Sequence, residues 1–334
     1  MLKRHFVLLS VAAILITIFP ASAQGDTQVV ADGLRNPRNL TFDADGNLYV
    51  AEAGIAGDQL TEEGDTFGAT ARISMITPDG EVETVVDGLL SFRSGDTLGA
   101  HAVKVTDESL WVLLGENTYW NVPFSYALME LDKETYRIKT FVDLLTLELE
   151  SDPDGNPNMQ SNPVDFEIAA DGSVLIANAG CNCLMGWSAD AGLSVVHAWD
   201  FATDNPVPTS VEIGPDGDIY VGFLTGFPHP EDTSRVERWS GGELVQTYEG
   251  LTAVTGLEVT DDGTIYAVEI GESFDLGSGF TPGRVVRVTE NGPETIVDGL
   301  TAPFAVEMGP DGQLYVSTNT IGGADGQIIS IAMQ

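Results

Sequence analysis

The sequence predicts an all-β fold: a six-bladed β-propeller of four-stranded antiparallel blades, closed by an N-terminal strand that completes the last blade. Three observations predict it. One hairpin unit recurs six times, a second hairpin follows most copies, and a strand near the start matches the strand that the final unit lacks. Self-similarity with a period of roughly 45 residues, built from paired short strands, is the signature of propeller blades.

The chain opens with Lys3, Arg4 and His5, a mostly apolar run from Phe6 to Phe19, and Pro20 before Ala21-Ser22-Ala23. A basic start, a short apolar run and small residues at a cleavage point form a secretory signal peptide. The run is too short to span a bilayer comfortably. Residues 1–23 are therefore expected to be a signal peptide and residues 24–334 one propeller domain, secreted or periplasmic, with no membrane span after cleavage.

The six copies start at Asn39, His101, Val164, Thr209, Thr255 and Phe304. Their turn residues Asp45, Asp107, Asp171, Asp216, Asp262 and Asp311 are separated by 62, 64, 45, 46 and 49 residues. Val, Ile, Leu and Tyr alternating with polar residues predict strands, and Asp-Gly between two such runs predicts a hairpin. Second hairpins are expected over Ala71–Asp87, Tyr126–Asp143, Arg235–Gly250 and Arg284–Asp298. The sixth copy runs out after Gln327-Ile328-Ile329-Ser330-Ile331, one strand short. Val29-Val30-Ala31-Asp32-Gly33-Leu34 is a loose copy of Val85-Val86-Asp87-Gly88-Leu89 and of Ile296-Val297-Asp298-Gly299-Leu300. Pairing it with the last unit would remove an exposed edge.

The repeated Asp-Gly-x-Leu/Ile-Tyr-Val pattern resembles NHL-type and SMP-30-type six-bladed propellers. Gly33–Gly54, Asp154–Val164, Asn178-Ala179-Gly180, Val207–His229 and the final Gly-Pro-Asp-Gly blade resemble the ScyD/ScyE family. These are secreted propeller proteins linked with the gene clusters for scytonemin, a cyanobacterial sunscreen, and found more widely. The resemblance implies a secreted propeller and an accessory role in making an extracellular metabolite. It transfers no catalytic residue.

Asp and Glu number 51 against 14 Lys and Arg, a formal charge of −37. Such a surface excludes phosphate-backbone recognition and attraction to anionic lipid. The partners expected are a small molecule or an extracellular protein or glycan, with no nucleic acid, and the chain is expected to be monomeric. Much of the Asp fits turn chemistry. Only four lysines against 51 acids goes beyond that demand and predicts stabilisation by salt or Ca²⁺.

Within each blade the strands are lettered A to D from the axis outward. The A–B and C–D turns are tight, whereas the D–A and B–C connections are long, as from Gly54 to Thr70 and from Asp143 to Asn162. Long connections on a rigid scaffold carry binding residues, so the site is expected on the long-loop face at the channel mouth. Strand A starts place Arg38, His101, Thr209 and Thr255 there. The aligned B-strand position reads Glu52, Leu114, Asn178, Phe223, Glu269 and Thr318. Glu52, Asn178 and Glu269 are candidate Ca²⁺ ligands, since that ion takes six to eight oxygens; bonding to neighbouring backbone or Arg is the structural alternative. Calcium-dependent lactonases of SMP-30 type carry a fuller acidic set, which Leu114 and Phe223 interrupt here.

His101 is the candidate acid–base residue, with a structural role between blades as its alternative; His197 and His229 are expected elsewhere. Tyr119 and Trp120, with Phe124 and Tyr126, offer a stacking platform or packing over the mouth. Asp152-Pro-Asp154-Gly-Asn156-Pro-Asn158 spaces oxygens as calcium loops do. Its Gly comes early and no Glu closes it, so it reads as a linker. Cys181 and Cys183 read as structural thiols, reduced or locally bridged. No G-x-S-x-G elbow, H-E-x-x-H helix or P-loop occurs. The function expected is an exported, non-catalytic propeller that binds a small ligand or protein partner on its long-loop face. The alternative is a Ca²⁺-dependent hydrolase or lactonase with Glu52, Asn178 and Glu269 around the ion and His101 as base.

Overall fold

The computed structural model describes residues 26–61, 64–116, 124–275 and 279–333. Among the described residues its strands form six antiparallel sheets that are the blades of a propeller, and a separate two-stranded sheet of Phe274–Asp275 and Gly279–Phe280. Blade 1 runs Pro37–Phe42, Leu48–Glu52, Thr66–Ile76 and Val82–Ser94, and blade 2 Ala100–Val105, Ser109–Leu114, Ala127–Asp132 and Ile138–Asp143. Blade 3 runs Pro163–Ile168, Val174–Asn178, Cys183–Ser188 and Gly192–Ala198, and blade 4 Pro208–Ile213, Ile219–Phe223, Ser234–Ser240 and Glu243–Leu251. Blade 5 runs Val254–Val259, Ile265–Glu269, Gly283–Thr289 and Gly292–Leu300. Blade 6 takes Val306–Met308, Leu314–Thr318 and Gly326–Ile331 from the chain's end and Thr27–Leu34 from near its start.

That last pairing closes the ring. Thr27 lies opposite Ile331, Val29 opposite Ile329 and Leu34 opposite Gly326, so the strand that blade 6 lacks in sequence is supplied from the other end of the chain. The apolar residues sort into one buried cluster for each neighbouring pair of blades. Blades 1 and 2 share Ile73, Val103 and Val112; blades 2 and 3 share Leu113, Phe166 and Ile176. The cluster between blades 6 and 1 joins Leu34 and Ile328 to Leu40 and Val50. Strand alternation puts these side chains on sheet faces that only the next blade covers, so the ring must close for all of them to be buried.

The A–B turns are as tight as the Asp-Gly pairs predict. In blade 1 the Gly46 amide bonds the Asp43 carbonyl, and Gly46 takes a φ of 81°, where a side chain would be strained. Two features depart from the expected pattern. Strands C and D of blade 1 extend toward the long-loop face, and Asp96–Leu98 adds a further strand beside them. The connection between blades 2 and 3 contains helix α1, Leu145–Ser151, which ends at Asp152 in a left-handed conformation. Among the described residues no helix is long and apolar enough to cross a membrane. Residues 1–23, expected from the sequence to be a signal peptide, lie outside the described residues.

Candidate functional site at the mouth of the axial channel

The strand register builds the site. In blades 2 to 5 the A–B pairing skips one residue on strand A, at His101, Val164, Thr209 and Thr255; in blade 1 the skip spans Arg38 and Asn39. A bulge re-aims the residue it leaves unpaired. With Phe304 at the same position in blade 6, these residues form a ring of six: Arg38, His101, Val164, Thr209, Thr255 and Phe304. All six line one cavity of about 920 Å³. Loops of the D–A and B–C connections complete its wall, so the cavity opens on the long-loop face.

Three polar members of the ring, His101, Thr209 and Thr255, stitch their blades to the next. Thr209 Oγ1 donates to the Val254 carbonyl at 2.7 Å, and Thr255 Oγ1 to the Phe304 carbonyl at 2.7 Å. His101 Nδ1 sits 2.9 Å from the Pro163 carbonyl. A carbonyl only accepts, so Nδ1 carries the proton and Nε2 keeps a lone pair. Burial, followed by the Arg38 charge, lowers the His101 pKa to about 4, so the ring is neutral at physiological pH.

Arg38 is 1 % exposed. Its Nη2 donates to the Thr97 carbonyl at 2.7 Å and to half-exposed Asp96 at 3.1 Å, while the guanidinium lies 4.7 Å from the centre of the Phe304 ring. Its Nε and Nη1 have no hydrogen-bond partner. The outer wall is aromatic. Phe274 and Phe280 pack edge to face at 4.9 Å and flank His229, whose ring centre lies 5.5 Å from that of Phe280. His229 thus borders the mouth, contrary to the expectation that it lies elsewhere. The cis Phe227-Pro228 bond lies in the loop that carries His229.

Of the sequence-predicted residues, Arg38, His101, Thr209 and Thr255 meet at this cavity, and Glu52, Asn178 and Glu269 do not border it. The latter three end buried B strands and bond within their own blades and the adjoining loops. Glu52 accepts from Arg72 Nε at 2.8 Å, from the Arg35 amide at 2.5 Å and from Ser74. Glu269 accepts from Arg284 Nε at 2.6 Å and from the Thr252 amide at 3.2 Å, its pKa raised by burial against those partners. Asn178 bonds the Asn162 amide and Ser161. Tyr119 and Trp120 lie outside the described residues. Phe124 is exposed and packs on Phe141.

One residue further along strand A, Asn39 of blade 1 bonds Asp165 of blade 3 at 2.6 Å. Burial raises Asp165 to about 6. Further along, the equivalent strand A position reads Thr41, Lys104, Glu167, Glu212, Glu258 and Glu307, and these residues line one axial pocket. Lys104 pairs with Glu167 at 2.5 Å and lies 3.8 Å from Glu212. Burial pushes Glu307 up to about 8 and raises Glu212 and Glu258 as well. Reading each repeat down its columns, where Val-Glu-Ile, Leu-Glu-Val and Val-Glu-Met recur, would have found this ring.

A second acidic group lies outside the axis. Carboxylate oxygens of Glu148, Asp152 and Asp154 come within 4.8 Å of one another, a cluster that could hold a metal ion. Burial, with Asp154 and Asp152 beside it, raises Glu148 to about 7. Cys181 and Cys183 are joined as a disulfide, the locally bridged alternative.

No protein-family model and no curated protein matches the chain. Solved structures do. A streptogramin B lyase is 12% identical with a TM-score of 0.55, over 94% of this chain and 100% of that one. A putative oxidoreductase (glucose dehydrogenase) from Thermus thermophilus is 14% identical with a TM-score of 0.60, over 92% and 100%. A catalytically inactive virginiamycin B lyase from Staphylococcus aureus, solved with quinupristin, is 11% identical with a TM-score of 0.52, over 92% and 99%. At such identities these likenesses establish the fold alone, a six-bladed β-propeller.

Proposed function

We propose that the protein is an exported propeller that binds, without turning over, a small and largely apolar ligand carrying an anionic or carbonyl oxygen, seated in the mouth cavity. Arg38 carries this reading. It is a buried cation whose Nε and Nη1 lack partners at the wall of a largely apolar cavity. A buried donor left unpaired costs about 1–3 kcal/mol, and a ligand oxygen placed there removes that cost. His101 Nε2 supplies an acceptor close to Arg38, and the Phe274–Phe280 wall suits a flat ring.

Binding is favoured over the hydrolase or lactonase reading by two observations. A histidine with a pKa near 4 takes up a proton poorly at neutral pH, and the Glu52 and Glu269 carboxylates are engaged by Arg72 and Arg284. Export is supported by the leader's sequence pattern and by the Cys181–Cys183 bridge, since disulfides persist in oxidising compartments. An accessory role in making an extracellular metabolite rests on the ScyD/ScyE resemblance, and a protein or glycan partner on the same face remains part of the reading.

The test is a fluorescence titration with anilinonaphthalene sulfonate, an aromatic anion. One saturable site is expected, displaced by aromatic carboxylates and not by matching amines. Arg38→Met should weaken it about tenfold to a hundredfold. Binding that survives both Arg38→Met and Phe280→Ala would refute the assignment. Cleavage of a lactone or ester by the wild type, lost in His101→Gln, would favour catalysis instead.

A further inference from the structure

We propose that the turn after helix α1 is a Ca²⁺ site, with Glu148, Asp152 and Asp154 as its carboxylate ligands. Sequence spacing alone argued against a calcium loop here, because no Glu follows the Asp-rich stretch. The fold supplies one from the other side, since the single turn from Glu148 to Asp152 brings the Glu148 carboxylate back over the loop.

Glu148 is the decisive residue. It is 0% exposed, and neither carboxylate oxygen has a hydrogen-bond partner; the nearby Gln160 amide falls short of a regular bond. Asp152 Oδ1 is likewise buried and unpartnered. A fully buried carboxyl with both oxygens bare costs several kcal/mol as an anion unless a cation or donors compensate. Here its nearest charged neighbours are two more carboxylates, which deepen the deficit.

The Asp154 oxygens each accept one bond, from the Asn156 amide at 3.0 Å and from Asn182 Nδ2 at 2.8 Å. A carboxylate oxygen has a second lone pair, so both remain competent ligands. The donor set is oxygen alone, which selects a hard cation. Oxygens that all lie within 4.8 Å of one another fall within the reach of two Ca–O bonds of about 2.3–2.6 Å, and the reluctance of Mg²⁺ to shed its water favours the larger ion. Partly exposed Asp152 leaves the ion a route from solvent and room for water ligands.

The site is tied to the mouth. Asn182, between the bridged Cys181 and Cys183, donates to Asp154 and accepts from the Val207 amide at 2.9 Å; Val207 lines the cavity. An ion at Asp154 would therefore pin the loop between blades 2 and 3 to the cavity wall.

The experiment uses the full chain, stripped with chelator and kept in about 0.3 M NaCl so that general screening is already strong. Ca²⁺ at about a hundredfold over its Kd should raise Tm by about 5 °C, with one ion retained per chain and a smaller shift from Mg²⁺. Glu148→Gln should abolish the shift. Asp152→Asn, at a partly exposed position outside the sheets, should fold normally and weaken Ca²⁺ at least tenfold. Retention of the full shift in Asp152→Asn, an equal response to Mg²⁺, or loss of the ion in Glu307→Gln on the axis would each overturn the assignment.

Discussion

Arg38 and His101 differ in what their neighbours leave undone. The carbonyl of Pro163 satisfies one nitrogen of His101, while Thr97 and Asp96 satisfy only one end of the Arg38 guanidinium. Gly115 shows how closely the imidazole is held, because a Cβ there would fall on the His101 ring. Gly115→Ala is expected to displace the ring, lower stability by about 1–3 kcal/mol and weaken ligand binding, as read by thermal melts and the same titration. Thr255→Val should cost about 1–3 kcal/mol by leaving the buried Phe304 carbonyl without its donor. Sequence alignment of the repeats placed Arg38, His101, Thr209 and Thr255 at the mouth, but Val164 and Phe304 escaped it. An apolar residue at a repeat position gives no chemical signal, and only the assembled ring shows that it lines the cavity.

The strand pairs explain where the acidic B-strand ends went. Glu52 lies opposite Arg72, and Glu269 opposite Arg284, each across the B–C ladder of its own blade. Their carboxylates therefore face an arginine and not the axis. Arg72→Met would leave Glu52 buried without its cation, and a loss of about 3–5 kcal/mol in chemical unfolding is expected. Closure is the other property of this scale. Removing Thr27–Leu34 bares the outer edge of blade 6 and part of its cluster with blade 1. The truncated chain should melt at least 10 °C lower, by roughly the scale of several kcal/mol, and associate through the open edge in light scattering. Helix α1 had no counterpart in the repeat, so the periodic reading passed over it and over Glu148, and without that Glu the Asp152–Asn158 stretch reads as a linker.

The whole molecule carries a formal charge of −37 and places four glutamates around one lysine on its axis. General repulsion opposes compaction, so Tm should rise between about 0.01 and 0.5 M NaCl as the Debye length shrinks from about 30 Å to a few ångströms. The axial ring adds a pH dependence of defined sign. Glu307 is raised to about 8 from an unfolded value near 4.5, so the folded state binds the extra proton between those values. Its contribution to stability is full below about pH 4.5 and is lost as pH rises through 8. His101, lowered to about 4, acts oppositely, adding stability as pH rises from 4 through about 6.5. Glu307→Gln should flatten the fall in Tm between pH 6 and 9, whereas Lys104→Met should melt much lower at pH 8 and recover toward pH 5. A fall unchanged in both variants would place the titrating groups elsewhere.

The sequence alone determined the blade count, the closing strand and the face that bears the long loops, because period-two alternation and Asp-Gly turns act locally and repeat. It also placed oxygen-bearing residues in columns. Only the tertiary structure decided which columns meet. The bulges turn strand A residues into the mouth, the B–C ladders hand Glu52 and Glu269 to arginines, and a short helix outside the repeat carries Glu148 to Asp152 and Asp154. Register and loop path, which set these meetings, depend on packing against the next blade, and a side chain's partner across that contact leaves no trace in its own local pattern.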